Sequence, residues 1–464
     1  MAKAKKKESL TPEERLQAAL VPESEQPYPV PANWCWTQLG TYIDFATDYV
    51  ANGSFASLKE NVAYYKDENY AILVKTQDFS NGFTENLTYT DKRGYNFLKK
   101  SVLYGGELIL SNIGSIGKVF RVPHLNKPMT LAPNSIMIKC HRDIDYDLLY
   151  YYFLSPFGTE QLYSITTGTA VKKFNKTDLK TICLPLPPLP EQQRIVDRIE
   201  SLFAKLDEAK QKAQDALDSF ETRKAAILHK AFTGELTAQW RKEHGVGMES
   251  WKNTTMGEIA SFHQGVQVAV DEQFEDYEEN RVRFIRIVDY TQGTERERYV
   301  SCDKIRNESY VKGDEIVMVR YGATAGFVGG GIEGLIANNM FVVDVKKDIR
   351  EYIKVFLKSP AIYHELNTSG GSTAMPALNF KTASAIEVPL PSEKEQTEIV
   401  RILDDLLAKE QQAKEAAEGV LEQIDLMKKA ILARAFRGEL GTNDPREESA
   451  VELLKTCYCG KLQL

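Results

Sequence analysis

The sequence predicts an α+β protein in which two similar α/β heads are joined by two long antiparallel helices. These helices are expected to form an intramolecular coiled coil with a pseudo-twofold internal repeat. Three features of the 464-residue chain predict this fold: a repeat at a spacing of 204 residues, an apolar heptad stripe in each copy, and short β-type segments before each stripe. A chain of this length also exceeds what one hydrophobic core usually holds.

The repeat is clearest over the segment that starts at Pro185. Between Pro185 and Leu236, 23 of 52 residues are identical to those found 204 positions later. Upstream, the copies match only in outline, through Lys75 with Arg286, Ser111–Asn112 with Arg320–Tyr321, Ala132–Asn134 with Ala337–Asn339, and Trp36 with Trp251. The expected segments are an N-terminal tail (1–32), a first head (33–186), a central helix (187–236), a second head (250–390), a distal helix (391–440) and a C-terminal tail (441–464).

Both long segments have the sequence pattern of coiled-coil helices. Apolar residues recur at steps of three and four from Ile195 to Ala231 and again from Ile399 to Ala435. Prolines precede both segments and glycines follow them, as helix ends favour. A helix of about 40 residues spans ~60 Å. An alternative is that they are ordinary bundle helices that set no spacing.

Each head is expected to contain many short strands and a short helix before a Ser-Pro step. The predicted strands are Leu108–Leu110, Ser135–Lys139, Glu315–Arg320 and Met340–Asp344, and the predicted helices are Asp147–Leu154 and Arg350–Leu357. The six cysteines are scattered, which favours a reducing, cytoplasmic compartment and no zinc site. No apolar run is long enough to span a membrane.

Three loop types recur in both heads and combine small, hydroxyl, amide and basic residues. The first loop is Lys75–Gly82, matched by Arg286–Gly293; the second, glycine-rich loop is Ser111–Lys118, matched by Arg320–Gly326; the third is Thr166–Lys173, matched by Ser369–Ala374. Small residues allow close approach of the backbone to a phosphate chain, and Arg, Lys, Asn and Gln can read base edges. Ordinary turns between strands are the alternative explanation for each loop alone. The residues predicted to contact DNA are Lys75, Gln77, Asn112, Ser115, Lys118, Lys172 and Lys173 in the first head, and Arg286, Arg320, Tyr321, Thr324, Asn338 and Ser372 in the second.

Net charge and motif content restrict the function further. The chain carries −7 overall, but Lys66 to Lys180 holds 15 basic against 11 acidic side chains. Six acids between Asp271 and Glu279 account for the deficit of the second head. We find no Walker loop, no nucleophile elbow, no His-Glu-x-x-His and no amino-methyltransferase motif, so catalytic residues are predicted to be absent.

The repeated motif resembles a known family. The pattern Pro-Leu-Pro-x-x-x-Glu-Gln-x-x-Ile-Val heads each long helix, and Ala-Phe-x-Gly-Glu-Leu ends it at Ala231–Leu236 and Ala435–Leu440. These motifs are similar to those of the specificity (S) subunit of type I restriction–modification enzymes. The resemblance covers about residues 34 to 440.

The resemblance implies a DNA sequence-recognition subunit with two target recognition domains, each reading one half of a bipartite asymmetric target. It implies helices that set the half-site spacing and bind two methyltransferase (M) subunits, with restriction (R) subunits joining them. No cofactor is expected on this chain; S-adenosylmethionine belongs to the methyltransferase, and ATP and Mg to the motor-nuclease. The predicted partner-binding residues are Glu191, Gln192, Phe232, Glu395, Gln396 and Phe436. A coiled-coil adaptor that does not bind DNA, and a single-chain DNA enzyme, remain alternatives.

Overall fold

A computed structural model describes residues 11–141, 144–293, 296–322, 324–368 and 378–460 of the chain. It divides into two compact units. Unit 1 comprises residues 1–212 and 420–464, and unit 2 comprises residues 213–419. Each long helix is therefore shared, because one end belongs to unit 1 and the other end to unit 2.

Among its described residues, the first head, in unit 1, contains ten strands and six α-helices, including the N-terminal helix. The strands are β1 (Cys35–Gln38), β2 (Ile43–Asp48), β3 (Ala71–Val74), β4 (Tyr89–Thr90), β5 (Val102–Leu103), β6 (Leu108–Ser111), β7 (Val119–Arg121), β8 (Met129–Leu131), β9 (Ser135–Cys140) and β10 (Cys183–Leu186). The helices are α1 (Pro12–Ala19), α2 (Phe55–Asn61), α3 (Lys92–Phe97), α4 (Tyr146–Leu154), α5 (Pro156–Ser164) and α6 (Lys176–Leu179).

Three helices follow the first head. They are α7 (Leu189–Asp218), α8 (Phe220–Phe232) and α9 (Ala238–His244). The sequence pattern predicts one helix here, whereas the structure interrupts it at Ser219. The Ser219 hydroxyl donates to the carbonyl oxygens of Asp215 (2.9 Å) and Ala216 (3.2 Å). Hydroxyl groups that bond back to the preceding turn commonly bend a helix, which explains the interruption.

The second head repeats the plan of the first. Its strands are β11 (Lys252–Thr255), β12 (Ala260–Gln264), β13 (Arg281–Ile285), β14 (Tyr299–Ser301), β15 (Tyr310–Lys312), β16 (Ile316–Val319), β17 (Val328–Gly329), β18 (Glu333–Ile336), β19 (Met340–Val345) and β20 (Glu387–Leu390). Its helices are α10 (Met256–Ile259), α11 (Ile287–Thr291), α12 (Arg350–Leu357), α13 (Pro360–Thr368) and α14 (Phe380–Ser384). The chain then continues through α15 (Glu393–Ala435) and α16 (Ala450–Gly460).

The sheets of the two heads have the same topology. Head one has sheets in the orders β2-β9-β6-β7 and β4-β3-β8-β5, and head two has β12-β19-β16-β17 and β14-β13-β18-β15. In each head the second sheet contains one parallel pair, β3 with β8 and β13 with β18. A two-stranded ribbon, β1-β10 or β11-β20, connects the head to its long helix. The predicted fold class and its internal repeat are confirmed.

The long helices pack antiparallel in both units. In unit 1, Ile195 and Ile199 of α7 share a core with Leu432 and Ala435 of α15, and Lys428 pairs with Asp207 at 2.5 Å. In unit 2 the same arrangement joins the end of α8 to the start of α15, through Leu228, Ala231, Ile399 and Leu403. Apolar positions of the heptad stripe carry these contacts, as the repeat predicts.

The structure corrects one upstream match. Trp34, and not Trp36, is the counterpart of Trp251, because each directly precedes the first ribbon strand of its head. Trp36 lies instead inside β1, where its ring packs against Tyr28 and Phe157. From the sequence, either Trp34 or Trp36 could be aligned with Trp251, and only the strand register decides between the two alignments.

Candidate nucleic-acid interface

In head one, backbone hydrogen bonds bring the three predicted loops to one edge. The Ala132 N–H donates to the carbonyl oxygen of Val74 at the end of β3 (3.0 Å). The Asn112 N–H, just after β6, donates to the carbonyl oxygen of Asn134 (3.2 Å), and the Phe174 N–H donates to that of Asn112 (3.1 Å). One short segment, 132–134, therefore holds the first and second loops together, and the third loop is bonded to the second.

Head two builds the same edge with the same bonds. The Ala337 N–H donates to the Ile285 carbonyl oxygen (2.9 Å), and the Arg320 N–H donates to that of Asn339 (2.8 Å). The Leu378 N–H donates to the carbonyl oxygen of Arg320 (2.9 Å). The two heads thus share a frame in which the side chains at equivalent positions differ.

A buried aspartate supports the first loop of each head. Asp78 accepts the Lys75 backbone N–H at 2.8 Å, and Asp289 accepts that of Arg286 at 2.7 Å. The Arg286 guanidinium also pairs with Asp289, with 3.3 Å between Nε and Oδ2. Burial raises the pKa of the Asp78 carboxyl above its ordinary value. Lys75 and Arg286 therefore occupy equivalent positions, one residue after β3 and one after β13.

The glycine-rich second loop needs left-handed backbone at two points in each head. The residues with φ between 79° and 91° are Gly114, Gly117, Gly322 and Gly326. A side chain at any of these positions would strain the backbone. Ser115 lies between the two glycines of head one, and Thr324 lies between those of head two. Lys118 directly follows Gly117.

The strand register shifts our alignment of this loop by one residue. Ser111 pairs with Ser135 at the start of β9, whereas the residue that pairs with Met340 at the start of β19 is Val319. Asn112 is consequently the counterpart of Arg320, and the predicted match of Ser111–Asn112 with Arg320–Tyr321 is wrong. The second loop is one residue longer in head two than in head one: the Ser111 N–H donates to the Lys118 carbonyl oxygen, whereas the Val319 N–H donates to that of Phe327.

Most of the predicted DNA-contacting side chains of head one lie on the surface at this edge. The exposed residues are Gln77, Ser115, Lys118, Lys172 and Lys173. Lys75 is half-buried. Asn112 is also half-buried, and its side-chain amide donates to the carbonyl oxygen of Phe174 at 3.1 Å, so this group fastens the third loop.

Head two presents a different set. The Arg320 guanidinium lies over the ring of Tyr321, 4.8 Å from its centroid, and 5.5 Å from that of Phe380. Thr324 and Asn338 are half-buried, and the Asn338 amide donates to Gln267 at 3.4 Å. Ser372, also predicted to contact DNA, lies outside the described residues.

Two side chains at these edges, Tyr163 and Phe380, belong to helices and were not predicted from the sequence. Tyr163 of α5 is 51% exposed, and its hydroxyl donates to the Ile116 carbonyl oxygen in the glycine-rich loop at 3.1 Å. Phe380, at the start of α14, supports Arg320. Neither residue lies in a loop with a recognisable composition. Helices are predicted before the Ser-Pro steps and not after them, so no feature of the sequence indicates Tyr163, which lies in the helix after Ser155-Pro156.

The six predicted partner-binding residues have an internal role. In unit 1 the buried Glu191 carboxylate accepts the indole N–H of Trp34 (2.7 Å), the Thr442 hydroxyl (3.0 Å) and the Asn443 amide (2.8 Å). The buried Gln192 side chain accepts the Asp145 N–H at 3.0 Å. Thr442 and Asn443, which were expected to lie in a C-terminal tail, therefore bond to a buried carboxylate inside unit 1.

In unit 2, the equivalent glutamate, Glu395, is also buried and accepts hydrogen bonds. Glu395 accepts the Thr237 hydroxyl (2.7 Å), the Trp251 indole N–H (3.1 Å) and Arg241, at 2.6 Å from Nη1. In the same unit the buried Gln396 amide donates to the Pro391 carbonyl oxygen, and the half-buried Phe232 packs on Tyr352 and Phe356. In unit 1 the buried Phe436 packs on Tyr152. Five of these six side chains are buried and Phe232 is half-buried, so the repeated motif makes contacts inside each unit. Contact of these residues with a partner stays a prediction.

Metal clusters and membrane-spanning helices are both absent from the part of the chain that the structure describes. No group of three or more His, Cys, Asp or Glu side chains there is placed to hold a metal ion. No helix within those ranges has the length and hydropathy needed to cross a membrane.

Comparison with known proteins gives a consistent result. The Type I restriction modification DNA specificity domain matches the chain twice, at residues 50–217 and 248–419. The type I restriction enzyme EcoKI specificity subunit of Escherichia coli K12 is 24% identical over 408 residues, which cover 82% of this chain and 85% of that protein. The EcoDI specificity subunit of Escherichia coli is 36% identical over 150 residues, 31% of this chain and 32% of the relative.

A solved structure supports the fold. The HsdS subunit from Thermoanaerobacter tengcongensis superposes with a TM-score of 0.63 at 20% identity, covering 90% of this chain and all of that one. The duplicated heads, the shared helices and the double match over more than half of the sequence agree. The chain belongs to the type I restriction–modification DNA specificity family, whose members are DNA sequence-recognition subunits.

Proposed function

We propose that each head reads one half of a bipartite, asymmetric DNA target. One observation carries this proposal. In both heads the same backbone hydrogen bonds join the predicted loops at one edge, but the side chains at equivalent positions of that edge differ. Lys75 in head one corresponds to Arg286 in head two, and Asn112 corresponds to Arg320. A shared frame with different polar side chains suits two sites that bind the same duplex and read different bases.

Head two offers the sharper test because the Arg320 guanidinium contacts two aromatic rings, those of Tyr321 and Phe380. A planar guanidinium can donate two parallel hydrogen bonds to guanine, whereas an ammonium cannot. We expect Arg320→Ala to lose about 1–3 kcal/mol of discrimination at one base position. Arg320→Lys is the matched control for charge: it should retain affinity for phosphate and lose the discrimination.

The measurement is binding of the chain, assembled with its methyltransferase subunits, to target duplexes with single base changes. Loss of discrimination confined to one half of the target supports the proposal. If Arg320→Ala and Arg286→Ala both leave affinity and base preference unchanged, the loop edge is not the reading surface.

We further propose that the long helices set the half-site spacing and dock two methyltransferase subunits, with restriction subunits completing the complex. Three apolar side chains on α15 support a docking surface: Val420, Leu426 and Met427 are 40%, 65% and 46% exposed. In this proposal the methyltransferase holds S-adenosylmethionine and the motor-nuclease holds ATP and Mg, while this chain supplies recognition alone.

Charged substitutions at two of these exposed positions of α15 test the docking proposal. Leu426→Asp with Met427→Asp should abolish co-purification of the methyltransferase, because burying two carboxylates against an apolar partner surface is costly. Lys346→Gln with Lys347→Gln, at exposed positions of head two, makes the same change in net charge and controls for it. Unaltered co-purification of the α15 variant would place the methyltransferase elsewhere.

A further inference from the structure

Head one carries a layer of helices over its second sheet. The layer consists of the 3-10 turn Tyr49–Asn52, α2, α3 and the 3-10 turn Lys99–Ser101. On its inner side, Leu58 and Leu98 pack with Leu73 of β3 and with Ala132. Ala132 belongs to the segment that ties the loops of the reading edge together. The layer therefore adjoins the edge that we assign to base reading.

The outer side of the layer is basic. Over α2, α3 and the second 3-10 turn there are five basic side chains, all exposed, and one acidic side chain, Glu60, so the excess is four positive charges. The basic side chains are Lys59, Lys92, Arg93, Lys99 and Lys100.

The contacts that the structure gives to these cations are with neutral groups. Arg93 donates to the Asn61 side chain at 2.9 Å, and the Lys100 ammonium donates to the Ala51 carbonyl oxygen at 3.1 Å. The Lys92 ammonium lies 5.8 Å from the ring centroid of Tyr70. Such contacts orient a cation without neutralising it, so the charge of the layer stays available to an anionic partner.

The segment of head two between β12 and β13, which corresponds to the first 3-10 turn and α2, has the opposite charge and contains the six acids from Asp271 to Glu279. The counterpart of α3 and the second 3-10 turn lies between β14 and β15. It has no net charge, because it holds two acidic and two basic side chains, Asp303, Glu308, Lys304 and Arg306. Glu272 pairs with Lys304 at 2.6 Å, Glu278 pairs with Arg281 at 2.8 Å, and Glu275 pairs with Arg298. Three of the six acids thus pair with basic side chains of head two, and the excess of negative charge makes the segment between β12 and β13 a poor surface for a phosphate chain.

We propose that the basic layer of head one binds the phosphate backbone of duplex DNA flanking the half-site that this head reads. This inference rests on the proposed reading of DNA by the heads. Exposed ammonium and guanidinium groups beside a base-reading edge are positioned for the next phosphates along the same duplex, since phosphate contacts set register and affinity without reading sequence. The acidic segment of head two gives no equivalent contact, so the protected DNA extends further beyond the first half-site than beyond the second.

The test uses the full chain assembled with its methyltransferase subunits and the variant Lys59→Gln, Lys92→Gln, Lys99→Gln. The matched control is Lys312→Gln, Lys346→Gln, Lys347→Gln, which removes three exposed charges from the ends of β15 and β19 opposite the reading edge of head two. Binding is measured over a range of salt concentrations on two target duplexes. One extends well beyond the first half-site and the other stops at it.

On the long duplex, the basic-layer variant should bind more weakly. The slope of log K against log salt should fall in magnitude by about 0.9 for each phosphate that the variant no longer neutralises, about 2 to 3 in all. On the trimmed duplex it should match the wild type, and its methylated motif should be unchanged. The control variant should behave as wild type on both duplexes.

Three results would overturn the inference. An unchanged slope on the long duplex, with wild-type reading of the bipartite target intact, refutes the flanking contact while sparing the proposed function. Loss of methyltransferase co-purification would make the layer a protein-docking surface. Absence of any bipartite target for the wild-type complex would refute both proposals.

Discussion

The buried ion pair between Arg241 and Glu395 in unit 2 gives a prediction whose magnitude follows from the burial and geometry of the pair. Arg241 approaches Glu395 at 2.6 Å, and the two side chains are 9% and 0% exposed. Removing one member of a buried ion pair costs about 3–5 kcal/mol, because the remaining charge keeps its desolvation penalty. Since Thr237 and Trp251 would still donate to the carboxylate, Arg241→Met should cost about 3 kcal/mol, the lower end of this range.

The assay is native-state hydrogen exchange of the amides in the β11-β20 ribbon across a urea series, which reports the opening free energy of unit 2. The double variant Arg241→Met, Glu395→Gln is the control: it removes the buried charge while keeping an acceptor for the Trp251 indole, and should recover most of the loss. A loss below about 1 kcal/mol in the single variant, or no recovery in the double variant, would refute the reasoning.

Three further predictions concern other parts of the chain. Tyr28 packs edge-on against Trp36 and Phe157 and under Arg437, so Tyr28→Ala should lower the unfolding free energy of unit 1 by about 2 kcal/mol, and Tyr28→Phe should lose far less; equal losses in urea unfolding would contradict packing as the cause. Ala209→Pro breaks α7 in its interior at a cost of about 3 kcal/mol or more and should abolish co-purification with the methyltransferase, whereas Ala209→Ser should not; co-purification with the proline variant would count against the helix as docking frame. Because burial raises the Asp78 pKa, ionisation of Asp78 disfavours the folded state above its ordinary pKa. Asp78→Asn should therefore stabilise unit 1 at neutral pH, with a gain that disappears as pH falls below the ordinary pKa; a gain that is independent of pH would exclude this cause.

The repeat and the helices could be predicted because their determinants are local and periodic. A heptad stripe specifies a buried face whatever the rest of the fold does, and the Ala132–Asn134 match with Ala337–Asn339 is reproduced in the structure by equivalent hydrogen bonds. The interruption at Ser219 was not predicted, because a single hydroxyl that bonds to its own helix leaves no periodic trace.

The fine alignment of the heads failed where sequence composition is ambiguous. A glycine-rich loop tolerates one extra residue without changing its composition, so the shift that pairs Asn112 with Arg320 is visible only in strand register. The resemblance assigned Glu191 and Glu395 to partner contacts, and the structure buries both carboxylates in hydrogen bonds inside their own units. Their donors lie 157 and 144 residues away in Trp34 and Trp251, a separation that no local pattern reports.

The central claim is that two different heads read two different half-sites. Single-molecule sequencing for methylated adenine tests it in a host that expresses the methyltransferase with this chain, without it, or with Arg320→Ala. The account predicts a bipartite motif only when the chain is present, and relaxation of one half of that motif in the Arg320→Ala variant. A motif that persists without the chain, or both halves changing together in the variant, would contradict it.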